Sequence, residues 1–308
     1  MSEQRKTPGR IRGTGTRRKK PTGRHRAKVV AAWTVAGVVV VGGARSDTAM
    51  VVHVDKGHKS ASVVSIPRDT LVERPACESD TTGEAVPAAH RAMFNTAYEV
   101  GGPACAVKTV ESMSGIRMDH YVEVDFTGFK KLIDELGGVE ITTNTAINDS
   151  KSHLDLEPGT HTLDGEESLG LVRTRKSVGD GSDLGRIQLQ QAFIKALIKQ
   201  AKSVGIFSSP QKLFGLADAA TKALTTDSGL GSVKKLTGFA NGLKGLGAEN
   251  VHMVTLPVEY DPADPNRVLP QEEAGKQVWA ALKQDRPIPA SATEKSAGDK
   301  GEAGQVVR

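Results

Sequence analysis

Arg173 and Arg175 stand one residue apart in LGLVRTRKSVGDGSDLGRIQLQQ, residues 169–191. Leu169 to Arg175 reads as a short strand, in which residues two apart share a face. Two guanidinium groups side by side repel unless a carboxylate or a bound anion neutralises them. Asp183 and Arg186 follow, after a loop rich in Gly and Asp. Two further stretches set arginine beside an acid: Arg45 and Asp47 in GARSDT, Arg68 and Asp69 in SIPRDT. Arginine presents a planar fork that takes phosphate oxygens in pairs and stays charged at any working pH. Several arginines with one or two carboxylates suit a pyrophosphate bridged by Mg²⁺, which completes its shell with substrate oxygens and water. The plainer accounts are a local Arg68–Asp69 ion pair at a strand end and Asp47 as a turn cap.

Other chemistries lack their residues. There is no GxSxG, no HExxH and no GxxxxGK[ST] stretch. The eight histidines are scattered, and His53 and His120 read as structural. With no protein nucleophile, a group transfer here would rest on positioning and charge neutralisation, with a substrate hydroxyl attacking.

The 308-residue chain carries a net charge of +5, unevenly distributed. Residues 1–28 hold eleven Lys/Arg and a single acid, Glu3, leaving 30 basic and 35 acidic side chains for the rest. The body is therefore mildly acidic. No aromatic residue is interleaved with the charges of the tail, so nucleic acid is not an expected partner. Attraction to anionic lipid is the simpler use of such a tail.

Directly after it comes VVAAWTVAGVVVVGGA, residues 29–44, sixteen residues without a charge. A spanning helix needs ~20 apolar residues, with a lower limit of about 17. The preceding basic residues favour a short single-pass anchor with a cytoplasmic N-terminus and the body outside. The alternatives are a cleaved signal peptide, since GGA ends in small residues, or a buried strand of the soluble domain. Cys77 and Cys105 lie in no CxxC or Cys/His pattern, which argues against zinc. In an oxidising compartment they would form a disulfide; otherwise they are two separate buried thiols.

The elements that must hold the arginines alternate. AMVVHVD (49–55) and SASVVSIPRD (60–69) read as strands joined by a turn, and 73–91 as a surface loop. MFNTAYEV and PACAVKTVESMSG suggest two helical pieces, the second stopped by Gly115. HYVEVD (120–125) alternates as a strand. Phe126, Phe129, Leu132, Ile133 and Leu136 then fall on one helical face, capped by Asp125 or Thr127 and closed by Gly137. VEITTN (139–144) reads as a strand, 145–168 as loop, 186–202 as a helix, 208–246 as further helices and 251–257 as a late strand. Residues 284–308 are polar and aromatic-free and are expected to be disordered. The pattern predicts an α/β domain over about 45–283.

RSDT before a strand, VVSIPRDTLV, FNTAYEVGGP, MDHYVEVDFTGFKKLIDELGGVEI and LVRTRKSVGDGSDLGRIQLQQ, in this order, resemble the LytR–CpsA–Psr family of cell-wall glycopolymer ligases, actinobacterial type. The likeness covers about residues 45–202. It implies a three-layer α/β/α sandwich around a central mixed sheet, outside the cytoplasmic membrane. It also implies a phosphotransferase that moves an anionic glycan, such as a teichoic acid, from a polyprenyl-pyrophosphate carrier to a peptidoglycan hydroxyl. On that resemblance Asp47 would hold Mg²⁺, and Arg45, Arg68, Arg173 and Arg175 would grip the pyrophosphate. Asp183, Arg186 and Gln190 would complete the site. Apolar residues on helix 126–136 and after Arg186 are candidates for a polyprenyl groove, or ordinary core. The chain departs from the family pattern twice. A strand ending in a motif like GSDSR normally precedes RSDT, whereas here VVVVGGARSDT runs straight into it; and Leu189 stands where relatives often carry arginine. Two alternatives therefore accompany the transferase: a homologue that binds the pyrophosphate lipid without turnover, and a hydrolase of it.

Overall fold

The computed structural model describes residues 35–42, 46–174, 183–294 and 296–297. Six strands form the central sheet: β1 (Val35–Gly42), β2 (Ser46–Val54), β3 (Ala61–Ile66), β4 (His120–Val124), β5 (Leu224–Thr226) and β6 (Val251–Thr255). Their order is β5-β4-β1-β2-β3-β6. β1 pairs in parallel with β4, and β3 with β6; the other neighbours are antiparallel. The sheet is therefore mixed. Among the described residues seven α-helices accompany it: α1 (Phe94–Ser114), α2 (Phe126–Glu135), α3 (Gly165–Arg173), α4 (Asp183–Ser203), α5 (Pro210–Ala223), α6 (Val233–Gly242) and α7 (Glu272–Lys283).

Strand alternation divides the helices between two faces. Ala49, Val51, Val64 and Ile66 pack with Phe94 and Val110 of α1 and with Trp279 and Leu282 of α7. Met50, Val54 and Val63 pack with Ile194 and Ile198 of α4 on the other side. A separate core joins Ile133 of α2, Leu171 of α3 and Leu189 and Phe193 of α4 to Val139 and Ile141. The result is three layers, helices on both faces of the sheet.

The apolar run expected to be a membrane anchor is corrected here. Val35–Gly42 is β1, held by β2 on one side and β4 on the other. Backbone groups committed to two neighbouring strands cannot also close a spanning helix. The rest of the run lies outside the described residues. No helix among the described residues is long and apolar enough to cross a membrane. β1 and β2 pair antiparallel from Val35 opposite Val54 to Gly42 opposite Ser46, so only residues 43–45 join them.

Three further expectations change. Leu169–Arg173 belongs to α3, not to a strand. Asp164 accepts from the Glu167 N–H at 2.9 Å while the Glu167 carboxylate accepts from the Asp164 N–H at 3.1 Å, a reciprocal cap that starts a helix. Leu169, Leu171 and Val172 are all buried, so the sequence lacks the polar face that marks an amphipathic helix. Residues 73–91 and 145–168 are not open loops: they take part in short hairpins, Leu71–Arg74 with Ala89–Met93 among them, and 165–168 open α3, while the strand expected at 139–144 is present as Val139–Thr143. The segment after α7 packs through residue 297, with Ala292 and Ser296 buried and the Ser296 hydroxyl accepting from the Val258 N–H at 3.1 Å.

The two helical pieces around Gly101–Gly102 are joined as α1, kinked at Gly102 (φ 60°, ψ −157°) just before Pro103. A residue preceding proline is excluded from helical geometry, which fixes the kink there. Asp125 caps α2 by accepting from the Gly128 N–H at 2.6 Å. Cys77 and Cys105 are joined by a disulfide with Cα atoms 5.5 Å apart.

Candidate functional site: an apolar cavity beside an arginine-bearing sheet end

Arg68 sits in the turn that leaves β3. Thr70 closes that turn, its N–H and hydroxyl both donating to the Pro67 carbonyl at 3.0 and 2.6 Å. The first N–H groups of α1 have no partner within the helix. Phe94 N–H donates to the Thr70 carbonyl at 2.8 Å and Asn95 N–H to the Arg68 carbonyl at 3.0 Å, pinning the turn to the helix start. The Arg68 Nε lies 3.4 Å from Asp69 Oδ2, so the local ion pair is present. Because Ala49 faces Ile66 across the ladder, the start of β2 that carries Asp47 occupies the same end of the sheet.

The paired glutamines of α4 fasten that helix to two neighbours. Gln190 Nε2 donates to the Val172 carbonyl at 2.9 Å, and Gln191 Nε2 donates to Ser65 Oγ at 3.2 Å. One residue thus holds the last turn of α3, where Arg173 ends the helix, and the other holds the end of β3, just before Arg68. The Arg173 guanidinium is exposed and stacks 4.9 Å from the centroid of the Phe126 ring. Arg186, in the first turn of α4, is only 4% exposed, so its charge faces the interior. Asp183 is the first residue of α4. Arg45 and Arg175 lie outside the described residues. Arg173 ends a helix, so the strand face expected to carry it together with Arg175 is not present.

Between α2, α4, α5 and the sheet lies an apolar cavity of about 370 Å³. Phe129, Leu132 and Ile133 line it from α2 and Leu136 from that helix's C-cap, and Phe193, Ile194 and Leu197 from α4, both sets at helical spacing. Phe129 and Phe193 meet at 5.7 Å between ring centroids. Thr48 and Gln190 are the polar residues of its wall. Gln190 is 7% exposed, and its Oε1 has no hydrogen-bond partner among the described residues. A buried acceptor left in that state costs about 1–3 kcal/mol, which a bound ligand or water would recover.

Asn95 is a second such case: it is 7% exposed and its Oδ1 is likewise unpartnered among the described residues. Sequence reasoning missed it, and Thr48 too. A polar residue opening a helix reads as a cap, and a threonine in a strand reads as β propensity. His53 and His120 are structural: His53 Nε2 pairs with Asp285 at 3.0 Å, and His120 Nδ1 with Asp227 at 3.2 Å. No group of three or more His, Cys, Asp or Glu gathers among the described residues to cage a metal. A cation held by one or two carboxylates and by substrate oxygens needs no such cage, and Asp69 is a described carboxylate at this sheet end. Carboxylate oxygens are the donors that Mg²⁺ accepts.

Comparison with known proteins gives a consistent picture. The cell-wall biosynthesis protein LcpA of Corynebacterium glutamicum is 34% identical over 229 residues, 69% of this chain and 43% of LcpA. The polyisoprenyl-teichoic acid–peptidoglycan teichoic acid transferase TagT of Bacillus subtilis is 34% identical over 226 residues, 71% of this chain and 63% of TagT. The chain thus spans less than two thirds of the length of either. The solved structure of TagT bound to LI-WTA superposes with a TM-score of 0.61 at 30% identity, covering 82% of this chain and 90% of that one. The structure of B. subtilis TagV gives 0.63 at 26% identity, covering 82% and 96%. The model of the LytR_cpsA_psr family matches residues 28–284, and with most of the body accounted for in this way the chain belongs to that family.

Proposed function

We propose that this protein transfers an anionic glycan from a polyprenyl-pyrophosphate carrier to a hydroxyl of peptidoglycan. The observation that carries the reading is the apolar cavity between α2 and α4, fastened by Gln190 and Gln191 to the segments that bear Arg173 and Arg68. Such a cavity suits an isoprenoid chain, and guanidinium groups suit the charged end of the same molecule. That relatives include teichoic acid transferases supports the reaction class.

In this reading Arg68, Arg173 and Arg175 hold the pyrophosphate oxygens, with Arg45 and the buried Arg186 adding positive charge. Asp47 is the residue that would hold Mg²⁺, which when bound offsets charge on the pyrophosphate. The acceptor hydroxyl oxygen bonds to the phosphorus nearer the glycan. The bond from that phosphorus to the bridging oxygen breaks, and polyprenyl phosphate leaves. A carboxylate, Asp183 or Asp47, takes the hydroxyl proton. The body works outside the cytoplasmic membrane, where the Cys77–Cys105 bridge persists, and the basic 1–28 tail meets anionic lipid. A spanning anchor over 29–44 is not part of the reading, since β1 takes up its second half.

The test is titration of a detergent-solubilised polyprenyl pyrophosphate, with and without Mg²⁺, against the protein and its Arg173→Ala/Arg175→Ala variant, followed by transfer to a peptidoglycan fragment. Arginine-dependent binding with a phosphodiester product supports transfer. Free glycan phosphate as the product would make the protein a hydrolase. Binding without either product would make it a non-catalytic homologue, a reading favoured by the run from β1 through residues 43 and 44 straight into RSDT, with no GSDSR-like motif between.

A further inference from the structure

We propose that the face formed by α5 and α6 is where the folded body rests on an anionic lipid surface. Three observations carry this, and it rests on the reading above in that a membrane supplies the apolar chain for the cavity. First, charge is concentrated here. From residue 187 to 248 the chain has eight lysines against two acids, Asp218 and Asp227, although the body as a whole is acidic. All eight lysines are exposed; four of them, Lys212, Lys222, Lys234 and Lys235, lie on α5 and α6, and Lys222 also pairs with Asp218 at 2.6 Å. A basic face on an acidic body attracts an anionic surface and sets orientation.

Second, Phe214 of α5 is 60% exposed, more than any other large apolar side chain among the described residues. Leu213 and Ala217 of the same helix are buried, so Phe214 points outward. An exposed aromatic ring on a helix that also carries exposed lysines is what an interfacial helix presents to headgroups and acyl chains. A soluble polyanion would be met by the lysines alone and leaves the ring without a purpose. Third, α6 has no buried residue, and a Cβ added at Gly238 would meet nothing within 4 Å. Its outward side is open. The same α5 that exposes Phe214 lines the cavity with Leu216 and Ala220. One helix would therefore touch the bilayer with one side and the cavity with the other.

The test uses the full chain, whose native cysteines are joined, so that an added thiol is the single labelling point. Phe214→Cys carries an environment-sensitive dye. Tyr260→Cys, at an exposed position on the Val258–Asp261 strand whose Val258 packs in the α1–α7 core, serves as the control. Vesicles contain phosphatidylglycerol and phosphatidylcholine, with a nitroxide lipid as quencher. Dye at 214 should be quenched and dye at 260 should not. Replacing Lys222, Lys234 and Lys235 by glutamate should weaken the contact at 214 by roughly fivefold per lysine. Equal quenching at both positions would overturn the proposal, since the basic N-terminal tail alone would then account for binding. So would charge-independent quenching at 214, or no quenching while soluble poly(glycerol phosphate) binds these lysines, which would assign the face to a glycan. Binding of polyprenyl pyrophosphate in detergent by the same variants checks their fold and separates failure of this face from failure of the cavity reading.

Discussion

The Arg173 guanidinium lies 4.9 Å from the centroid of Phe126, so the end of α3 rests on the first residue of α2. The same α2 supplies three residues to the cavity wall, which puts a held cation and an apolar chamber on one helix. An exposed stack of this kind contributes about 0.5–1 kcal/mol. Phe126→Leu should therefore cost less than about 1 kcal/mol in thermal unfolding. It should weaken polyprenyl-pyrophosphate binding more than that, because Arg173 loses its support. Arg173→Lys keeps the charge but loses the planar fork. It should bind between wild type and Arg173→Ala in calorimetric titration, and equality with wild type would remove Arg173 from the phosphate clamp.

The cavity wall allows the apolar and charged ends of the ligand to be separated. Ala220 lines the cavity from α5, and Ala220→Phe projects a ring into the empty space. We expect unchanged or slightly raised stability and a clear loss of affinity for long-chain polyprenyl phosphate, with inorganic pyrophosphate binding unaltered. Ile133→Ala, by contrast, empties a site that is 2% exposed and should cost about 2–5 kcal/mol in denaturant unfolding. If Ala220→Phe binds the long chain normally, the lipid lies elsewhere.

Much of this was readable in the residues, for identifiable reasons. β2 and β3 were legible because both are rich in β-branched residues and a turn, KGHK, separates them. α2 was legible because Phe129, Leu132, Ile133 and Leu136 form one stripe and Asp125 caps it. α3 was not, because burial on nearly every side removed the polar face that distinguishes a helix from a strand. β1 was mistaken for an anchor because a strand inside a sheet covered on both faces is apolar throughout, as a membrane segment is. At the site, arginines advertise themselves by charge. Asn95 and Gln190 declare themselves only by an amide oxygen left without a partner, which no sequence shows.

Acid should unfold the protein through Asp227 in particular. Burial, the largest influence on this carboxyl, raises its pKa, but the Tyr121 and Gly229 N–H groups at 2.8 and 2.6 Å and the His120 ring together hold it below the usual range. Asp55 is lowered in the same balance by the N–H groups of Ser60, Lys59 and Gly57. A carboxylate with a depressed folded pKa stabilises fully above its unfolded value and loses that contribution as pH falls through the folded one. Stability should therefore be flat above a pH of about 5 and fall below about 4. Asp227→Asn should be less stable at neutral pH and show a shallower acid limb in a series of denaturant melts. An unchanged limb would assign acid sensitivity to other groups.

The Cys77–Cys105 bridge ties the hairpin after β3 to the second half of α1, the helix whose first turn pins Arg68. Arg74 reinforces the junction, donating to the Pro87 carbonyl at 2.8 Å, and Lys108 donates to the Ala76 carbonyl at 2.5 Å. A crosslink over 28 residues restricts the unfolded chain and contributes ~3 kcal/mol on the loop-entropy account. Adding a thiol reductant should lower the melting temperature of the wild type to that of Cys77→Ser/Cys105→Ala, and leave the variant unaffected. Because the hydrogen bonds around Arg68 do not involve sulfur, the variant should still bind polyprenyl pyrophosphate below its melting point. Loss of binding by a folded variant would mean that the bridge sets the position of the Arg68 turn as well as the stability of α1.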